Sequence, residues 1–130
     1  ELPKKEKKIK QRNRFFNYLV IIDDDCIYLK ERKDKDIWIG LYDFPLIESD
    51  KQVNTFNTLT AEFKSSGISH QKKSNEFKHI LSHQKIYATF WLVTVINTSE
   101  LDSNYTKIPL TEINNYPIPK LIDNYLQTIL

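Results

Sequence analysis

Residues 77–96, FKHILSHQKIYATFWLVTVI, constrain the fold more than any other stretch. The run is dense in β-branched and aromatic residues, which favour strands. Beyond a polar cluster at Ser82, His83, Gln84 and Lys85, both alternating sets are largely apolar. Ile86, Ala88, Phe90 and Leu92 form one set, and Tyr87, Trp91, Val93 and Val95 the other. A strand apolar on both faces belongs inside a sheet covered on both sides. Polar residues at the end of such a strand are held firmly while staying exposed, which suits recognition.

Around this stretch the sequence predicts one mixed-sheet α/β domain, in the order three strands, helix, two strands, a short element and a helix. Phe15–Ile22 reads as a buried strand, Asp23-Asp24-Asp25 as a turn and Cys26–Lys30 as the returning strand. The charged loop Arg32–Asp36 precedes a third strand, Ile37–Phe44, stopped by Pro45. Ser49 has the character of a helix N-cap, with Gln52 completing a capping box. Val53, Phe56, Leu59 and Phe63 then fall on one helical face, and Gly67 stands where a left-handed C-terminal residue belongs. Residues 69–76 read as a polar loop and residues 97–104 as another. Residues 105–116 carry a short strand or turn and one helical turn. Pro117-Ile118-Pro119 introduces a last helix whose Leu121, Ile122, Tyr125, Leu126 and Ile129 make an apolar stripe. Residues 1–8 are expected to be a linker remnant and residues 9–130 the domain.

Composition narrows the chemistry. One cysteine, Cys26, excludes an internal disulfide and CxxC-type sites, and two glycines leave no phosphate-cradling loop. No apolar run approaches the roughly 20 residues of a membrane span, and no secretory pattern opens the chain. The expectation is a soluble monomer inside the cell, cytoplasmic, or at the nucleoid if the source is bacterial. The net charge of +2 is uneven: residues 1–14 hold seven Lys/Arg against two Glu, whereas the remainder is net acidic. On a strand, Lys8, Lys10, Arg12 and Arg14 share a face. That face is either a phosphate contact or a solvated edge that lysines protect from pairing.

Catalytic patterns are missing. No HExxH, GxSxG or nucleophile–base pairing stands out. His79 and His83 have the spacing of a helical zinc pair, but on a strand they stand about 13 Å apart, too far for one metal. Three adjacent aspartates at 23–25 lack the interleaved spacing of a calcium loop. No catalytic residue, metal ligand or cofactor is therefore assigned. Ser82 and His83, each able to donate and accept, suit a nucleobase edge; a polar hairpin corner with no partner fits them equally.

Four segments in order carry a resemblance. The basic alternation leading into Phe15-Phe16, the segment Trp38-Ile39-Gly40-Leu41-Tyr42-Asp43-Phe44-Pro45, the segment His79-Ile80-Leu81-Ser82-His83, and Tyr116-Pro117-Ile118-Pro119-Lys120 together resemble the C-terminal domain of MutY-type adenine DNA glycosylases. Tyr42 replaces a usual tryptophan, and Leu81 replaces the phenylalanine of a Phe-Ser-His loop. The resemblance implies a Nudix-like α/β/α sandwich, the fold of MutT. Aligned on Gly67-Ile68, the magnesium-binding glutamates of the Nudix signature fall at Ala61, Lys64 and Ser65, and its paired glycines at Leu46-Ile47. Pyrophosphatase chemistry is accordingly not expected.

What the resemblance implies instead is recognition of 8-oxoguanine opposite a misincorporated adenine. Ser82 would bond the lesion, with His83 and Leu81 shaping the contact, and Lys10, Arg12 and Arg14 would hold phosphates. The glycosylase reaction and the iron–sulfur cluster belong, in that family, to a separate N-terminal catalytic domain. The implied partners are duplex DNA with 8-oxoguanine:adenine mispairs and that catalytic domain. A diverged nucleotide pyrophosphatase and a protein-binding module on the same scaffold are the alternatives.

Overall fold

A computed structural model of the chain describes residues 11–56, 68–95 and 104–130. Its centre is a parallel pair of twelve-residue strands, β1 (Arg12–Asp23) and β7 (Gln84–Val95), in register from Arg12 opposite Gln84 to Ile21 opposite Val93. Both are apolar on two faces, so each feeds two cores. Phe16, Tyr18 and Val20 of β1 join Ile86, Ala88 and Phe90 of β7 on one side. Leu19, Ile21, Trp91 and Val93 pack on the other, with Val53 and Phe56.

The sheet runs β3 (Tyr42–Asp43), β2 (Cys26–Glu31), β1, β7 and β5 (Ile68–Lys73), with β4 (Leu46–Ser49) also on β1, β6 (Phe77–Ile80) also on β7 and β8 (Thr106–Pro109) on β2. Strand β2 (Cys26–Glu31) returns from β1 through Asp24 and Asp25, at φ 52° and 62°. Two consecutive left-handed residues give the tight hairpin turn whose twist matches its strands, and aspartate tolerates that conformation. Strand β8 (Thr106–Pro109) lies antiparallel to β2, and a 3-10 helix, Leu110–Asn115, follows it. Helix α1 (Lys120–Ile129) starts directly after Pro119 and buries Leu121, Ile122, Tyr125 and Leu126. Tyr125 stacks on Phe90 with centroids 4.1 Å apart, so α1 covers the first core. This is a single mixed-sheet domain of the expected class. No helix among the described residues is long and apolar enough to cross a membrane.

Four expectations need correction. Only Tyr42–Asp43 of the third strand forms (β3); Ile37–Gly40 is a turn, with Trp38 at φ 59° and Gly40 at φ 87°. Arg32 closes that loop: its amide donates to the Leu41 carbonyl at 2.8 Å, and its carbonyl accepts the Gly40 amide at 2.7 Å. Pro45 interrupts the chain without ending extended structure, because Leu46–Ser49 resumes as β4 against β1. Ser49 therefore ends a strand and caps no helix. Its hydroxyl accepts from Asn17 and donates to the Lys51 carbonyl. Val53 and Phe56 are buried from an irregular segment, while the remaining helix positions, Leu59, Phe63 and Gly67, lie outside the described residues. Much of the polar loop is strand β5 (Ile68–Lys73), an antiparallel edge on β7. Residues 77–96 do hold the two strands expected there, joined at the polar cluster. Strand β6 (Phe77–Ile80) folds back antiparallel on β7, and the polar cluster supplies the corner.

Candidate recognition site

The corner is a tight hairpin tip. The Leu81 amide donates to the Gln84 carbonyl at 2.8 Å, leaving Ser82 and His83 as the two exposed residues between them. Strand β1 grips the tip from the side. The Arg12 amide donates to the His83 carbonyl at 2.9 Å, and Gln11 Nε2 to the Leu81 carbonyl at 3.2 Å. Leu81 is half-buried against the first core, on the strand face it shares with Phe77 and His79. The three residues expected to form the reading loop thus sit together, two presented to solvent and one anchoring them.

The cations divide differently. Lys10 lies outside the described residues, and Arg12 is exposed near the tip. Arg14 is 5% exposed and spends all its hydrogens within the protein. A guanidinium has five N–H donors. Arg14 Nε and Nη2 donate to the two Glu48 oxygens at 2.8 and 2.7 Å, and Nη1 and Nη2 to the two Asp36 oxygens at 2.8 and 2.9 Å. The fifth hydrogen goes from Nη1 to Gln84 Oε1 at 2.9 Å. Arg14 therefore has no donor to offer a phosphate, contrary to the expectation for it. Its place was legible: Arg14 has the same strand parity as Phe16 and Tyr18, the core-facing set.

Around Arg14 a charged network lines a cavity of about 540 Å³. Arg32 donates to Asp36, to the Ile37 carbonyl and, at 2.8 Å, to Asp43 Oδ2. The hydroxyl of fully buried Tyr18 donates to the same Asp43 oxygen at 2.8 Å. Hydrogen bonds from Arg14 hold the Asp36 carboxyl down to about 2, well below the usual range. Burial pushes Asp43 the other way, with Arg32 and Tyr18 pulling back. Tyr18 is raised by burial and by the neighbouring Asp43 charge. None of Asp36, Asp43, Glu48 or Gln84 was singled out from sequence, since each owes its role to contacts distant along the chain.

With this geometry in view, the comparisons are specific about family. Residues 17–128 match the family model described as the NUDIX domain. The chain belongs to the Nudix domain family. No match was found among curated protein sequences. Among solved structures, the C-terminal domain of mouse MUTYH, crystallised with human PCNA, superposes with a TM-score of 0.70 at 13% identity, covering 89% of this chain and 86% of that one. The MutT Nudix hydrolase of Burkholderia pseudomallei gives 0.68 at 13% identity, covering 92% and 100%. The Nudix domain of Shewanella oneidensis NrtR, solved with ADP ribose, gives 0.61 at 11% identity, covering 92% and 89%. At such identities these likenesses establish the fold, which hosts both hydrolysis and binding.

Nudix hydrolases use a divalent metal, so the donor set of this Nudix domain is the relevant test. Among the described residues no three His, Cys, Asp or Glu side chains converge as ligands. Of the five carboxylates that line the cavity, three face guanidinium groups: Asp36 faces two, Asp43 one and Glu48 one. A hard cation needs several oxygen ligands not already neutralised, and these three do not fit one; positions 61–65, where the signature glutamates align, lie outside the described residues.

Proposed function

We propose that this Nudix domain reads a lesion in duplex DNA, as the 8-oxoguanine recognition domain of an adenine DNA glycosylase, and is itself non-catalytic. The hairpin tip carries the proposal: a backbone-fixed turn offers the Ser82 hydroxyl and the His83 imidazole to solvent side by side. Oxidation converts guanine N7 from an acceptor to an N–H donor and adds an oxygen at C8. A hydroxyl that both donates and accepts can therefore separate the lesion from guanine. The pairing of Asp36, Asp43 and Glu48 with arginine supports a binding role over metal-assisted hydrolysis. The partners in this reading are a mispaired duplex and a tethered catalytic domain, which raises the local concentration of an otherwise weak site.

Fluorescence anisotropy with two duplexes, 8-oxoguanine opposite adenine and guanine opposite adenine, tests the reading at low salt. Tighter binding of the first supports it; equal binding of both opposes it. The second reading, a nucleotide hydrolase, is favoured by the cavity, whose lining includes Tyr42, Tyr105 and Arg32. Turnover of 8-oxo-dGTP in the presence of magnesium would replace the first reading with the second.

A further inference from the structure

Gln84 and Arg14 make a second use of the charged network visible. Gln84 closes the turn directly after His83. Its carbonyl accepts the Leu81 amide and its side-chain oxygen accepts a hydrogen from Arg14, so it is fixed from both ends. The other four Arg14 donors go to Asp36 in the 32–41 loop and Glu48 on β4. That loop also reaches the hairpin's other leg. Two residues after Asp36, the Trp38 indole meets the His79 ring of β6 edge-on at 5.8 Å. Trp38 holds a left-handed φ of 59°, a conformation that persists only where its surroundings impose it. Asp36 is fixed at the start of that turn, accepting from the Ile37 amide at 2.7 Å while bonded to Arg14 and Arg32, and the backbone of Arg32 closes the turn on Gly40 and Leu41. Both legs of the tip are thus tied to one loop, and Arg14 is where the ties meet.

We propose that Arg14 is a positioning residue for the Ser82–His83 tip, acting through Gln84 on one leg and through the Asp36–Trp38 turn on the other. The proposal rests on the reading of that tip as the base-recognition element. It separates two roles of one guanidinium. Bonds to Glu48 and Asp36 hold the fold, those to Asp36 also reaching the His79 leg through Trp38. The bond to Gln84 fixes only how the tip is presented.

Gln84→Met isolates that role, because methionine keeps the length and bulk of glutamine, removes the acceptor and leaves the four carboxylate bonds of Arg14 intact. In the 130-residue chain, amide exchange followed by NMR should quicken at Leu81 and Arg12, whose hydrogens are held by the Gln84 and His83 carbonyls. The expected change is about fivefold, what one lost hydrogen bond supplies. The core amides of Leu19 and Phe90 should not change. The ratio of affinities for 8-oxoguanine:adenine over guanine:adenine duplexes should fall toward that of Ser82→Ala, and the double variant should fall no further. Unchanged exchange and an unchanged ratio in Gln84→Met overturn the proposal and leave Arg14 a stability residue. A wild-type chain with no duplex preference overturns the lesion reading instead, while the exchange rates still decide whether Gln84 holds the tip.

Discussion

Replacing Arg14 by methionine removes five hydrogen bonds at once while preserving an unbranched apolar stem beside Phe16, over whose ring the guanidinium now lies at 4.9 Å. The bonds cannot simply be added, because Asp36 and Glu48 keep side-chain exposures of 29% and 32% and regain water once the cation is gone. Breaking a fully buried pair by deleting one partner costs about 3–5 kcal/mol, so the lower end, about 3 kcal/mol, applies here. With a urea slope of about 1.5 kcal/mol/M for a chain of this size, the midpoint should fall by about 2 M at an unchanged slope. Arg14→Lys should recover little, since one ammonium with three donors cannot span two carboxylates and an amide in fixed fork geometry. A midpoint shift below about 0.7 M, or near-full recovery by lysine, would refute the reasoning that a saturated fork holds these segments together.

Three further outcomes follow from the same geometry. Tyr18→Phe deletes a buried donor to a carboxylate at 2.8 Å and should cost about 1.5–3 kcal/mol in urea denaturation; a loss under about 0.5 kcal/mol would mean that Arg32 alone satisfies Asp43. Asp36 is held at about 2 against an ordinary 3.8, so its stabilisation is present above pH 3.8 and is lost as pH falls toward 2. The Tm gap between wild type and Asp36→Asn should therefore narrow across that window, and a constant gap would contradict the assignment. Arg12→Gln should weaken binding to both duplexes alike, more at low salt; a change confined to the lesion duplex would make Arg12 a reader and not a phosphate contact.

The sequence shows the two-sided strands and the amphipathic last helix plainly, because periodicity records burial. Phe16, Tyr18 and Val20 alternate with Leu19 and Ile21, and the two sets serve different cores. What it hides depends on distant partners. Trp38 and Gly40 read as strand because their left-handed turn is enforced by Arg32, whose bonds to it carry no local signature. Strand β5 reads as loop because an edge strand need not bury alternate residues. The Ser82–His83 turn lacks the glycine or asparagine that marks most hairpins, so only its polar residues signal the break between β6 and β7. Of the candidate site, Leu81, Ser82 and His83 were legible through resemblance. Arg14 keeps the face it shares with Arg12, but parity with buried Phe16 turns that face to the core at position 14, so its donors go to the protein and not to phosphate.

Ser82→Ala tests the central claim most directly. Serine at this exposed tip contributes no packing, so thermal stability should hold while the hydroxyl is lost. Affinity for the 8-oxoguanine:adenine duplex should fall by about 1 kcal/mol, or up to ~3 where a polar base edge is left unpaired, with guanine:adenine binding unchanged. Equal losses on the two duplexes, or no loss on either, would contradict the claim that Ser82 reads the lesion.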